Sequence, residues 1–339
     1  MRVSTFTQNT RIDANIQNLQ REIATAQRQI STGKKADVFS GLGGGDARAL
    51  IELRSELSRR DEYMNAIRTS NLRMRAMEAA LTGIQDVLSS FRADLFEQGG
   101  APSEAAAPHL QTIAKSAFSR VTDLLNTAID GRYLFNGYDT STKPVIDSET
   151  VLGNFATAFG APEGSGLANI IAAADDTYDG LTTTGFFEYQ TNYLAAEQTS
   201  GETFKTRISD AVQVDYGELA SDSSFTQALN VFAVFSNYDF DSVNKAEFQD
   251  LLNWGRDQIE ASFDGVNVMV GSLGVHRQTM ERQSIEHENF SGIIQDQIVD
   301  MEDVDKAEAI TRFQTLQTQL ETSYQVTALV RKLSLSNFI

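Results

Sequence analysis

Apolar residues recur along the first 32 positions with a helical period. Ile12, Ile16, Leu19, Ile23, Ala26 and Ile30 follow spacings of 4, 3, 4, 3 and 4. That puts all six on one face of a helix, with Gln, Arg, Asn and Glu opposite. The pattern is close to a coiled-coil heptad. Such a helix of about 30 residues would be roughly 45 Å long, and Gly33 reads as its C-cap.

A second helical run starts near Asp46, a candidate N-cap. Leu50, Leu53, Leu57, Met64, Ile67, Met74, Leu81, Ile84, Leu88 and Phe91 carry it to about Glu97. A third helix is expected from about Pro108 to Ile129. Near the other end, residues 243–300 read as one long helix and Lys306–Leu333 as another. In the last helix Phe313, Leu316, Leu320 and Tyr324 begin an apolar stripe. Val326, Leu329, Val330 and Leu333 continue it on a drifting face. All four prolines lie between 102 and 162, so the flanking segments lack that helix breaker.

The centre differs. Residues 136–222 hold nine glycines and many Thr, Ser, Asp and Phe. Short runs such as Gly185–Tyr189 alternate with turn-forming clusters. The expected fold is mainly α, with long N- and C-terminal helices packed as an antiparallel coiled coil or bundle. A β-rich or mixed outer domain is inserted into it. Three domains are expected: 1–40 with 301–339, 41–135 with 223–300, and the insert 136–222.

Charge sharpens this division. The chain of 339 residues has a net charge of -18. Residues 1–135 hold 17 basic and 15 acidic residues, 136–270 hold 5 and 21, and 271–339 hold 6 and 10. So acidic a centre would repel a phosphate backbone, and nucleic acid is not an expected partner. There is no cysteine, which excludes disulfides, thiolate metal sites and a cysteine nucleophile. No stretch approaches the roughly 18 apolar residues of a membrane span, so no membrane partner is expected. Met1–Thr10 lacks the apolar core of a secretory signal, so any export is expected to take another route.

Two amphipathic terminal helices each need a partner for their apolar faces. Seams at both ends suit termini that meet each other or meet neighbours in an assembly. The assembly seam is therefore assigned to Ile12, Ile16, Leu19, Ile23, Ile30, Phe313, Leu316, Leu320, Leu329 and Leu333.

Several segments then resemble the bacterial flagellin and hook-associated family. Gln29-Ile30-Ser31-Thr32-Gly33-Lys34-Lys35 resembles the end of that family's first helix. Asp130-Gly131-Arg132-Tyr133-Leu134-Phe135-Asn136-Gly137-Tyr138 resembles a segment of its hook–filament junction members, and Met1-Arg2-Val3-Ser4-Thr5 resembles their start. Leu316–Tyr324 and Leu333–Ile339 resemble the family's C-terminal signature. The resemblance covers about 135 residues at one end and about 100 at the other. Ala36–Asp46, with Gly41-Leu42-Gly43-Gly44-Gly45, departs from the usual linker and is similar to an alphaproteobacterial variant.

The resemblance implies a structural role with no active site and no cofactor. It implies an extracellular flagellar protein, exported unfolded through the type III apparatus. Terminal helices would pair into an inner tube, further helices would form a second shell, and the middle would project outward. Implied partners are further copies of the chain, hook-associated protein 1, flagellin, and an export chaperone at Phe313–Ile339. The alternative within the family is a filament flagellin.

Candidate chemistry adds little. The Gly41–Gly45 run follows a helix rather than a strand, and Gly33-Lys34 is followed by Lys35, so neither nucleotide-loop context is met. His109, His276 and His287 show no metal-ligand spacing, and His287-Glu288 is expected to be a solvated pair. Asp175-Asp176 and Glu302-Asp303 are expected at the solvated surface. Arg54, Arg59, Arg60, Arg68, Arg73 and Arg75 have two readings: contacts to acidic helices of a neighbouring subunit, or a solvated face with partners such as Glu56–Arg60. Phe186, Phe187, Tyr189 and Tyr193 could stack on a ligand of a displayed binding module, though core packing explains them better. Trp254 is expected in the core.

Overall fold

The computed structural model describes residues 5–36, 41, 43–97, 106–138, 140–158, 203–238 and 245–336. Among these the helices are α1 (Thr5–Thr32), α2 (Gly44–Glu97), α3 (Ala106–Leu125), α4 (Ser148–Ala158), α5 (Ser223–Asn237), α6 (Lys245–Glu302) and α7 (Lys306–Ser336). Two antiparallel hairpins pair β1 (Ala128–Ile129) with β2 (Arg132–Tyr133), and β3 (Lys205–Arg207) with β4 (Gln213–Asp215). The fold is mainly helical with a mixed middle, as the periodicity predicts. Gly185–Tyr189 and the four aromatics singled out there lie outside the described residues.

Local chemistry sets the helix ends. Gly33 takes φ +74°, and its N–H donates to the Gln29 carbonyl at 2.8 Å. Only glycine enters that region without penalty, so α1 stops where the sequence expects. α2 starts at Gly44, and the Ala47 N–H donates to the Gly43 carbonyl at 3.1 Å. Asp46 is therefore not the cap. It lies in the first turn, where its carboxylate faces the positive end of the helix dipole. α3 ends at Leu125, short of the expected Ile129. Ala128 and Ile129 instead pair with Tyr133 and Arg132 across Asp130-Gly131. Both turn residues have positive φ, 52° and 72°, as a two-residue hairpin turn demands.

The contacts divide the chain into two compact units. One comprises Met1–Asp61 and His287–Ile339, the other Glu62–Glu286. The second holds the main apolar core. Its centre is α5, buried on nearly every side from Ser224 to Phe235, as expected of a helix apolar all round. Asp222 caps it by accepting the Ser224 N–H at 2.8 Å. Phe91 of α2 meets Phe232 and Phe235 edge-on, at 4.9 and 5.8 Å between ring centroids. α6 comes close to α5 at two glycines. A Cβ at Gly255 would lie 2.7 Å from the Phe235 ring, and one at Gly265 would overlap Ser224 Oγ. Trp254 is half-buried against this core.

The segment after the first hairpin is a buried corner of the same unit. Leu134, Phe135 and Asn136 are buried. Asn136 Nδ2 donates to the Thr142 carbonyl at 3.0 Å, and the Ala220 N–H donates to the Phe135 carbonyl at 2.8 Å. The chain thereby ties β2 to the segment that leads into α5.

Candidate assembly interface

In the unit formed by Met1–Asp61 and His287–Ile339, α1 and α7 pack against each other. They run antiparallel. Gly33 lies beside Lys306, Glu22 meets Arg312 at 3.7 Å, and Gln20 Nε2 donates to the Tyr324 hydroxyl at 3.0 Å. Ile12, Ile16, Leu19, Ile23 and Ile30 are half-buried and Ala26 is buried, while residues between them are mostly exposed. On α7 the matching line is Ala309, Phe313, Leu316, Leu320, Ser323 and Thr327, again spaced 4, 3, 4, 3 and 4.

Most of the assigned seam residues come together, but not all. Leu329 is 61% exposed and off the α1-facing line. Tyr324 is not on the stripe either: it is 47% exposed, and the line passes through Ser323 instead. Leu333 belongs to α7, but its side chain lies outside the described residues. Val326, at 49% exposure, and Leu329 therefore form a second apolar face without cover from α1. Two helices alone leave broad apolar stripes partly wet, which is why most seam residues stay half-buried.

A polar latch closes the end of this pair. Lys34 and Asp303 form an antiparallel bridge, the Lys35 N–H donates to the Glu302 carbonyl at 2.7 Å, and the Val304 N–H donates to the Gly33 carbonyl at 2.9 Å. The Glu302 carboxylate accepts Lys34 Nζ at 2.8 Å and an Arg54 guanidinium N–H. Glu302 is 8% exposed, which corrects its assignment to the solvated surface. Its location is physically reasonable because two cations and the backbone bridge enclose it. α6 has no basic residue in its last turn. Lys35 supplies one from across the gap, its Nζ donating to the Asp300 carbonyl at 2.5 Å.

The hydrogen bond from Lys34, aided by the Arg54 charge, holds the Glu302 carboxyl below its ordinary value of 4.5. A depressed carboxyl contributes stability that is present above its unfolded-state value and lost as pH falls through the folded one. Glu302→Gln should therefore destabilise this unit by about 1–2 kcal/mol at neutral pH, a modest loss because both cations are half-exposed. It should also flatten the acid side of the melting profile. Thermal unfolding followed by circular dichroism from pH 3 to 7 checks this.

His287 also differs from expectation. It is 4% exposed rather than solvated, with Nδ1 3.3 Å from Arg60 Nη1. Arg60 is shared with Glu56 at 2.8 Å and lies 4.8 Å over the Phe290 ring. This node packs α2 against α6 within the unit. Among the described residues no cluster of three or more His, Asp or Glu could hold a metal, and no helix is long and apolar enough to cross a membrane.

The helices that build the latch and the seam are those that match known proteins. Residues 3–140 match the family model for the bacterial flagellin N-terminal helical region, and 257–339 match the one for the C-terminal helical region. The chain belongs to the bacterial flagellin family. Among 37 solved chains that match is one described as a flagellar hook-associated protein from Vibrio parahaemolyticus. It shares 13% identity, with a TM-score of 0.54 over 76% of this chain and 98% of that one, a likeness of fold. No curated protein matches the sequence.

Family membership makes the chain a structural component of the flagellum, an assembly outside the cell. The two matched regions hold α1–α3, the first hairpin, most of α6 and all of α7. The unmatched stretch between them holds most of the acidic excess.

Proposed function

We propose that the chain is the hook–filament junction protein of its flagellum, hook-associated protein 3. The observation that carries this is Gly131–Tyr138, the segment that resembles junction members, together with the Met1–Thr5 start. Leu134 and Phe135 of this segment are buried in the core of Glu62–Glu286. In this reading α1 and α7 form the inner layer, 41–135 with 223–300 the second, and 136–222 points outward. A ring of copies contacts hook-associated protein 1 on one side and flagellin on the other. Before assembly Phe313–Ile339 binds an export chaperone, and the chain leaves the cell unfolded by type III export. The glycine-rich 36–46 stretch supports an alphaproteobacterial type.

Gold-tagged antibody on intact flagella tests this. A single band where hook meets filament is the expected image. Label along the whole filament would make the chain a flagellin, the reading favoured by the description of both matched regions.

The second face of α7 offers a further check. Leu329→Asp should leave α1 paired with α7 and the circular dichroism unchanged, because Leu329 is 61% exposed in the single chain. Incorporation into flagella should drop more than tenfold, because assembly would bury an unpaired charge. Incorporation at the wild-type level would show that this face stays open.

A further inference from the structure

Within Glu62–Glu286 the β3–β4 hairpin lies along α2 as a strap. Its backbone bonds run between its own strands, with Thr206 opposite Val214 and the Tyr216 N–H donating to the Phe204 carbonyl at 3.0 Å. Side chains lash it to α2. At the tip the Tyr63 hydroxyl donates to Asp210 Oδ1 at 2.8 Å. Midway, Ser70 Oγ and Thr206 Oγ1 are 2.7 Å apart. Near the root the Arg73 guanidinium lies 4.1 Å over the Phe204 ring. From Tyr63 to Arg73 the strap follows roughly 15 Å of helix. Ile208, Val214 and Tyr216 are buried, and Ser70 is 3% exposed beneath the strap.

The root has the form of a joint. A Cβ at Gly217 would overlap the Phe204 backbone, so the hairpin ends where a glycine is required. Two residues on, Leu219 bridges Asn136, and the Ala220 N–H donates to the Phe135 carbonyl at 2.8 Å, which ties the chain down again. Glu218 stands half-buried between joint and tie. Two other carboxylates flank it. Asp215 on β4 accepts the Thr203 hydroxyl and lies 3.8 Å from Lys205 on β3. Asp222 caps α5. From α2 comes Arg73, which is committed to Phe204. The β2 corner contributes Asn136 and the Tyr138 ring, 6.1 Å from that of Phe204. Neither cation offsets Glu218: burial first, then Asp222 and Asp215, raise its carboxyl from 4.5 to about 7.

We propose that the β3–β4 hairpin is a strap that opens from α2 about Gly217, closed while Glu218 carries a proton and released when it ionises. Ionisation sets a third carboxylate beside two that are already engaged. Swinging the hairpin outward takes Asp215 away from Glu218 and returns Glu218 to water. A lone two-stranded hairpin is marginally stable, and such elements open at a lower free energy than the whole domain. The closed form holds the Glu218 proton up to about pH 7, whereas the open form releases it near the ordinary carboxylate value. Opening therefore grows as pH rises between the two values and levels off above the upper one. It uncovers the face of α2 around Ser70.

The chain has no cysteine, so S70C places a lone thiol under the strap at the cost of one exchanged atom. Labelling by 4,4′-dithiodipyridine is followed on the free full-length chain at pH 5 and pH 8. Each rate is divided by that of the same variant unfolded in urea, which removes the titration of the thiol itself. The normalised rate should be at least tenfold higher at pH 8. T206C, on the strap side of the same contact, should show the same rise. In S70C/E218Q the two rates should agree within twofold and match the pH 5 value of S70C. S262C, whose parent serine is buried in the same core on α6, reports opening of the whole core. At pH 8 it should label at least tenfold more slowly than S70C. Equal rates for S70C at the two pH values would overturn the proposal. So would a pH dependence that survives E218Q, because Glu218 would then not be the trigger. Equal labelling of S70C and S262C at pH 8 would also overturn it, because Ser70 would be reached only by unfolding of the whole unit.

Discussion

Replacing Leu316 by Asp should separate α1 from α7, leave the unit Glu62–Glu286 folded, and abolish incorporation into flagella. Leu316 is 6% exposed at the centre of the seam. The substitution removes roughly 2–3 kcal/mol of apolar burial. It also places a carboxylate with no cation assigned to it in the seam between α1 and α7, a further cost of several kcal/mol. Helices of 28 and 31 residues draw most of their stability from such packing. The pair therefore has little left to hold it. The loss of ellipticity should not exceed what those two helices supply. The cooperative melting of Glu62–Glu286 should persist, because its core from Ile67 to Met280 contains no residue of α1 or α7. Ile16→Asp and Leu19→Asp should act the same way but less strongly, since both sites are half-buried. Collapse of the whole fold in L316D would contradict this separation, and normal flagella would contradict the assembly role.

The N-terminal seam was legible because α1 has one apolar face and α7 covers it. α7 was less so. Past Leu320 the exposed Tyr324, Val326 and Leu329 leave the line, while Ser323 and Thr327 continue it. A hydrophobic pattern cannot mark a polar residue as facing a partner, so Tyr324 and Leu329 were joined to the wrong face. The first hairpin had a signal that the helix reading overrode: Asp130-Gly131 is a two-residue turn pair. His287 also had one. Leu273, Met280, His287 and Ile294 follow at sevens along α6, and all four are buried. The phase of the helix, rather than the polarity of imidazole, decides that position. Glu302 had no local signal. Its burial depends on Lys34 and Arg54, 268 and 248 residues away, and only the folded chain brings them together.

Glu218→Gln should raise the stability of Glu62–Glu286 at pH 8 and leave it nearly unchanged near pH 4.5. Glu218 is half-buried in the segment between β4 and α5. Burial, with Asp222 and Asp215 nearby, pushes its carboxyl from 4.5 up to about 7. Asp222 caps α5, so its charge is fixed in place. A folded state that holds its proton up to about pH 7 binds more protons than the unfolded chain between the two values. Stability therefore falls as pH rises through that window, and the full loss is present above it. After allowance for partial exposure the loss is on the order of 2 kcal/mol. Glutamine keeps the shape of the protonated acid and never ionises, so the variant should escape this slope. For a unit of this size the difference at pH 8 corresponds to an unfolding midpoint higher by roughly 5 °C. Melting curves of both proteins at half-unit intervals from pH 4.5 to 8.5 would show the two lines diverge upward from about pH 5. Parallel lines would mean that Glu218 is ionised throughout and that Asp215 and Asp222 impose no cost on it.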